Sequence, residues 1–150
     1  MNLPPPTIGL VALARQTFDT ALAAQVADQA RGQLASAGLK LLGPADLVSD
    51  LETTDLVAQE LAQQPLDLLV ILQSTFADST MVRSLAETVD VPILLWAVPE
   101  AGTGGRLRLN SLCGINLAAH ALTRYGLHYT TLYAQPGDET IVDQILVQGR

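Results

Sequence analysis

The chain has 150 residues, of which 49% are hydrophobic and 15% are charged, and its formal net charge at pH 7 is −7. A composition this apolar excludes an intrinsically disordered chain. A chain of 150 residues is also long enough to bury a hydrophobic core of its own. Lys40 is the single lysine and the arginines are scattered. Nucleic-acid binding needs clustered cations that displace phosphate counterions, so we expect no nucleic-acid partner.

No apolar stretch approaches the ~20 residues of a membrane span. The N-terminal residues Met-Asn-Leu-Pro-Pro-Pro lack the basic and apolar regions of a signal peptide. We therefore expect a cytoplasmic location and no membrane partner. Cys113 is the single cysteine, so the chain can form no internal disulfide, and we expect a buried structural thiol at this position.

Strand-like and helical patterns alternate along the whole chain. The predicted strands cover residues 8–14, 39–42, 66–72, 91–96 and 129–134. The first helix is expected to begin at a cap, Thr17 or Asp19, and to end at Gly38. The four later helices are predicted at residues 50–64, 79–88, 111–125 and 138–147. In the first helix the apolar stripe at steps of four comprises Phe18, Leu22, Val26, Ala30 and Leu34.

Five strand–helix units favour one α/β domain over residues 1–150, with a parallel five-stranded sheet covered by helices on both faces. The run at residues 66–72 is continuously apolar, as is typical of a central strand. We expect a flavodoxin-like three-layer sandwich with the strand order 2-1-3-4-5, the commonest order for this number of elements.

Three of the apolar runs end in short polar clusters. Residues 8–14 run into residues 15–19, and residues 66–72 run into residues 73–76. The run at residues 92–96 is followed by a glycine-rich loop that finishes at Asn-Ser-Leu-Cys-Gly. Since parallel strands end at one edge of a sheet, where ligands of these folds bind, the sequence predicts one composite site there.

Four residues of these clusters are the candidate ligand contacts. The guanidinium of Arg15 can hold a carboxylate, a phosphate or a sugar hydroxyl, although a surface pair with Asp19 is also possible. Gln73 and Phe76 supply an amide and an aromatic face, which suit a polyol. The alternative is a capping segment with Phe76 packed inward. Ser111 opens a predicted helix, where free amides attract polar ligand atoms.

The chemistry that is missing is equally informative. The two histidines, His120 and His128, have no partner at metal-binding or triad spacing, so we assign no catalytic residue and no metal ligand. The glycine-rich segment at residues 102–105 fits neither the phosphate-loop nor the dinucleotide pattern. Trp96 is expected in the core or at an interface.

Four segments, taken in order, resemble the superfamily of L-fucose isomerase and L-arabinose isomerase. They are residues 8–19 (IGLVALARQTFD), 69–76 (LVILQSTF), 92–100 (PILLWAVPE) and 109–114 (LNSLCG). The resemblance implies the N-terminal α/β domain of an aldose–ketose isomerase. It also implies that manganese or a similar divalent metal is held in later domains, so that this chain alone holds no cofactor and is inactive.

The resemblance implies roles and partners as well. Arg15 matches the first-strand loop that reaches the sugar in such enzymes, and Phe76 matches the region of an aromatic contact. The implied partners are the sugar substrate, the remaining domains of the parent protein and neighbouring subunits. The alternative function is a free-standing flavodoxin-like module that binds a sugar or another small ligand without catalysis. A flavin-holding electron carrier is disfavoured, because the first loop lacks a phosphate cradle of glycine, serine and threonine.

Overall fold

A computed structural model describes residues 3–102 and 104–150. Five parallel strands form one sheet: β1 (Thr7–Leu13), β2 (Lys40–Leu42), β3 (Leu68–Gln73), β4 (Ile93–Ala97) and β5 (Thr130–Tyr133). The helices are α1 (Thr20–Ser36), α2 (Leu51–Ala62), α3 (Ser79–Thr88), α4 (Ser111–Arg124) and α5 (Thr140–Gln148). The strand order is β2-β1-β3-β4-β5, which confirms the predicted 2-1-3-4-5 parallel arrangement.

Alternation along the strands divides the core into two layers. Leu68, Val70 and Leu72 of β3 face the layer that contains the buried residues of α1 and α5. Leu69 and Ile71 face the layer that contains those of α2, α3 and α4. Side chains of a strand alternate between the two faces, so a strand covered on both sides must be apolar throughout. This is why β3 is buried at every position.

Aspartates begin the first three helices. Asp19, Asp50 and Asp78 each accept a backbone N–H of the first turn, from Leu22, Thr53 and Thr80. An N-cap carboxylate satisfies donors that the helix itself leaves free. The third helix matches its predicted bounds, and the other elements differ from theirs by a few residues at the ends.

Two sequence expectations need correction. Phe18 lies outside the stripe of α1, because Asp19 caps the helix and leaves Phe18 in the preceding loop. Cys113 is exposed and not a buried thiol. The face of α4 that packs on the sheet carries Gly114, Ile115 and Ala118, which turns position 113 outward. Trp96, by contrast, is fully buried in the core as expected.

No helix in the described part of the chain is both long enough and apolar enough to cross a membrane.

Candidate functional site

The carboxyl ends of the three central strands lie at the same level. Leu13 of β1 is in register with Gln73 of β3, and Gln73 is in register with Ala97 of β4. The chain therefore leaves all three strands at one edge, which we call the carboxyl rim. The rim is formed by residues 14–19, 73–78 and 98–111, apart from residue 103. All four predicted site residues lie on it.

Arg15 and Phe76 are brought together by the backbone. The N–H of Arg15 donates to the hydroxyl of Thr75 at 2.7 Å, which ties the end of β1 to the segment after β3. The guanidinium carbon of Arg15 then lies 5.5 Å from the centre of the Phe76 ring, within the range of a cation–π contact. Arg15 is exposed and Phe76 is half-buried. The predicted alternative pair of Arg15 with Asp19 is not formed.

Phe18 and Arg106 extend this arrangement, and sequence reasoning did not place them in the site. The rings of Phe18 and Phe76 are 6.2 Å apart and tilted by 46°. The guanidinium carbon of Arg106 lies 5.3 Å from the centre of the Phe18 ring. The two rings and two arginines thus form a continuous row across the rim. An aromatic residue directly before a helix cap was the signal for Phe18, and two arginines in a glycine-rich loop were the signal for Arg106.

Gln73 and Ser111, the other two predicted site residues, are buried at the rim. The Ser111 hydroxyl accepts the N–H of Val98 at 3.0 Å and donates to the backbone carbonyl of Gln73. The side chain of Gln73 is fully buried, and its amide nitrogen and oxygen have no hydrogen-bond partner among the described residues. The hydroxyl of neighbouring Ser74 is also buried and has no hydrogen-bond partner among the described residues. Buried polar atoms are nearly always paired, so this cluster is unusual.

Gly114 allows α4 to approach that cluster. A Cβ atom at position 114 would lie 2.6 Å from Oε1 of Gln73 and 3.2 Å from the Cα of Phe76. Only a residue without a side chain permits such contact. The first turn of α4 therefore packs directly on the rim segment 73–78, which carries both Gln73 and Phe76.

A carboxylate fixes the loop that enters α4. Glu100 accepts the backbone N–H groups of Arg108, Leu109 and Asn110, the last at 2.6 Å. Asn110 has a φ of 54°, in the left-handed region that asparagine tolerates better than most residues. The Leu109 carbonyl accepts the N–H of Phe76 at 2.7 Å. The loop is thus attached to the segment after β3 as well as to its own carboxylate.

A second attachment joins the loop to the start of α1. Arg108 donates to Asp19 at 2.6 Å, and the backbone N–H of Asp19 donates to the Arg108 carbonyl at 3.0 Å. The N–H of Leu22, and after it the guanidinium of Arg108, hold the pKa of the Asp19 carboxyl below its ordinary value. Asp19 therefore caps the helix and anchors the loop at once.

A cleft of about 230 Å³ opens beside Arg15. Arg15, Asp50, Asp78 and Thr80 line it, together with Ser49 and hydrophobic neighbours. Asp50 and Asp78 are the caps of α2 and α3, so the starts of both helices face the cleft. Planar charged groups and hydroxyls at the mouth of a cleft are suited to hydrogen bonding with a small polyol.

Metal chemistry has no counterpart in the described residues. In the ranges 3–102 and 104–150, no three His, Cys, Asp or Glu side chains are grouped so that they could hold a metal ion. The resemblance places the divalent metal in later domains of the parent protein, and we derive no step through it. The rim presents guanidinium donors, aromatic faces and a loop held by hydrogen bonds.

Comparison with known proteins gives a consistent family assignment. Residues 9–146 match the family model described as fucose/sulfoquinovose isomerase, N-terminal domain. The chain is 28% identical over 139 residues to the sulfoquinovose isomerase of Alkalicoccus urumqiensis, which covers 93% of this chain and 31% of that protein. It is 25% identical over 142 residues to the sulfoquinovose isomerase of Priestia aryabhattai, with 95% and 32% covered. The chain spans about a third of the length of these curated relatives.

Proposed function

The chain belongs to the family of fucose/sulfoquinovose isomerase N-terminal domains, and we propose that it supplies the sugar-contacting rim of an aldose–ketose isomerase. The observation that carries this proposal is the convergence of Arg15, Phe18, Phe76 and Arg106 on the edge of the sheet where ligands of this fold class bind. The substrate is a sugar, for which the family description offers fucose and sulfoquinovose and the relatives' names offer sulfoquinovose.

The rim residues bind and orient the sugar rather than react with it. Isomerisation moves a proton between adjacent carbons and needs a base and a polarising group. We assign neither to this chain, and we propose that both, with any metal, come from other domains of the protein or from a neighbouring subunit. Arginine donors and ring faces of this domain fix the sugar in place, which lowers the entropic part of the barrier.

Gln73 has a defined part in this proposal. Its amide is buried beside Gly114 on the rim and has no hydrogen-bond partner among the described residues. A sugar hydroxyl is a partner that the donors and acceptor of this amide suit. Ser111 acts indirectly, by holding the backbone of Gln73 in place. Its hydroxyl donates to the Gln73 carbonyl and accepts the N–H of Val98. Its sugar contact remains a proposal.

The test is a nuclear magnetic resonance titration of the ¹⁵N-labelled 150-residue chain with neutral sugars, L-fucose and quinovose. We expect amide shifts confined to the rim, at residues 14–19, 73–78 and 104–111, and no shifts at Gly126 or His128, which lie at the opposite edge of the sheet. Phe76→Leu should weaken the effect, whereas Tyr125→Leu, which removes an exposed ring just after the end of α4, should not. Shifts that avoid the rim, or none at all, would contradict the proposed function.

A further inference from the structure

Thr75 lies at the point where the exits of β1 and β3 meet. Its side chain is fully buried. Its hydroxyl accepts the backbone N–H of Arg15 at 2.7 Å and donates to the carbonyl of Phe76, also at 2.7 Å. A hydroxyl carries one donor and can accept as well, so both bonds form at once. One oxygen atom therefore joins the backbones of the two residues whose side chains form the cation–π contact at the rim.

Backbone hydrogen bonds tie the residues around Thr75 to two other rim segments. The N–H groups of Ser74 and Thr75 both donate to the carbonyl of Leu13, at 3.0 and 3.3 Å. The N–H of Phe76 donates to the carbonyl of Leu109 at 2.7 Å, which attaches the loop before α4. Of all these bonds, only the two at the Thr75 hydroxyl depend on a side chain. A substitution at position 75 can therefore remove those two and leave the backbone bonds in place.

The Thr75 hydroxyl lies beyond the end of the paired strands. β1 and β3 are paired in register as far as Leu13 and Gln73, so the sheet is already aligned without a bond from Thr75. What the hydroxyl adds is the direction in which the two chains leave the sheet. Valine has the same branched shape as threonine, and packing alone therefore does not explain a hydroxyl at this buried position.

We propose that Thr75 is a positioning residue of the sugar site, which acts through Arg15 and Phe76 and touches no sugar itself. The inference rests on the proposed function, because it names the group that sets the geometry of the same rim. Arg15 is exposed, and a long exposed side chain has many rotamers available to it. The Thr75 hydroxyl fixes the backbone of Arg15 and the backbone of the ring that its guanidinium contacts. This restricts the arginine before a ligand arrives, and such preorganisation increases affinity.

Thr75→Val removes the hydroxyl and keeps the branched shape, so both of its bonds are lost. In the 150-residue chain we expect the Kd for L-fucose, measured by nuclear magnetic resonance titration, to rise at least about threefold. Thr75→Ser restores the hydroxyl and should restore the affinity. Thr54→Val is the matched control, because the Thr54 hydroxyl is also fully buried and donates to the carbonyl of Asp50 at 2.7 Å. Its loss should lower stability without changing the Kd.

A second measurement needs no ligand. The ring current of Phe76 displaces the side-chain proton resonances of Arg15, and Phe76→Leu gives their positions without the ring. In Thr75→Val these resonances should move toward their positions in Phe76→Leu, and in Thr75→Ser they should stay. A hydroxyl that only stabilised the fold would change the thermal midpoint and leave the Arg15 resonances in place.

Circular dichroism checks that each variant is folded, and Thr75→Ala takes the place of Thr75→Val if the valine variant is unfolded. An unchanged affinity for L-fucose in Thr75→Val, or unchanged Arg15 resonances, overturns the inference while the proposed function stands. The same holds if Thr54→Val weakens binding as much, since a loss of stability would then explain the effect. If the unsubstituted chain binds neither L-fucose nor quinovose at the rim, both the inference and the proposed function fail.

Discussion

At the scale of single residues, Gln73 is the rim residue whose side chain most clearly lowers the stability of the fold. Its side-chain amide is fully buried and unpaired within the described structure. A buried polar group without a partner costs about 1–3 kcal/mol. Residues that reduce stability in this way are often found at functional sites.

Replacing this amide should therefore stabilise the domain. Gln73→Met has a similar length and no amide, so we expect the free energy of unfolding to rise by about 1 kcal/mol, measured by urea denaturation. The control Gln59→Met changes the same group on the exposed face of α2 and should have little effect. A loss of stability of similar size in Gln73→Met would show that the amide is satisfied in the folded protein.

Two helical glycines, Gly32 and Gly114, test how tightly α4 packs against Gln73. Gly32 in α1 has no atom within 4 Å of where a Cβ would lie, so Gly32→Ala should stabilise the protein by about 0.5–1 kcal/mol through helix propensity. Gly114→Ala adds the same methyl group against Gln73 and the backbone of Phe76, and the clash should outweigh that gain. Thermal unfolding of both variants decides this. Equal stabilisation by the two would show that α4 can move away from Gln73.

How far these residues could be predicted depends on their neighbours in sequence. Arg15, Gln73 and Phe76 lie at the end of a strand or within three residues of it, so the periodic pattern is enough to place them on the rim. Phe18 was assigned to the helical stripe, because its spacing to Leu22 fits and only the cap at Asp19 excludes it. Arg106 lies in a loop without periodicity, and its ring partner is far away in the sequence, so no local pattern could place it.

At the scale of elements, one carboxylate binds three consecutive backbone N–H groups in the segment before α4. Glu100 accepts three consecutive N–H groups, at Arg108, Leu109 and Asn110. Glu100→Gln removes the charge that these donors share, and hydrogen bonds to a charged group are about twice as strong as neutral ones. Hydrogen exchange at the three amides should accelerate, by about tenfold if about 1.4 kcal/mol is lost. The control Glu60→Gln, on the exposed face of α2, should leave these exchange rates unchanged.

The other attachment of this segment should depend on pH. The Leu22 N–H and Arg108 lower the pKa of Asp19 in the folded state, so its stabilising effect is present above the ordinary aspartate value of about 3.9. The effect is lost as pH falls through the lowered pKa. Asp19→Asn keeps a capping oxygen but loses the charge, so its thermal midpoint should lie below that of the unsubstituted chain at pH 7.

This difference in thermal midpoint should narrow as pH falls below about 3.9, the ordinary aspartate value, and should close once pH has passed the lowered pKa of Asp19. Asp46→Asn is the control, because Asp46 is exposed and makes no side-chain hydrogen bond in the described structure. A gap that stays constant between pH 7 and pH 3 would show that the charge of Asp19 contributes nothing to the attachment.

The positions of the helices and strands could be predicted from the sequence better than any other feature of the fold. The uninterrupted apolar run of β3 and the cap before α1 are local signals, and the structure confirms them, with Asp19 as the cap. Strand order is not encoded locally, and its prediction rested on the frequency of one arrangement in this fold class. The register that aligns Leu13, Gln73 and Ala97 at one level appears only when the strands are paired.

At the scale of the whole molecule, the domain carries apolar side chains outside its two core layers. Leu112 and Leu117 on α4 are 46% and 41% exposed, and Tyr133 on the edge strand β5 is 53% exposed. These positions suit contact with other domains or neighbouring subunits, which remains a proposal. The relatives that contain this domain are about three times as long as the chain. The sugar site proposed here is accordingly one side of a larger one.

The central claim, that the carboxyl rim of this domain contacts the sugar of an isomerase, is tested most directly by kinetics in a chimera. Residues 9–146 replace the matching segment of the Alkalicoccus urumqiensis sulfoquinovose isomerase, and conversion of sulfoquinovose is followed. In an active chimera, Arg15→Gln should lower kcat/KM at least about tenfold, a loss of about 1.4 kcal/mol of transition-state binding. Arg124→Gln, at the far end of α4, should leave kcat/KM unchanged. An Arg15→Gln chimera as active as its parent would contradict the claim.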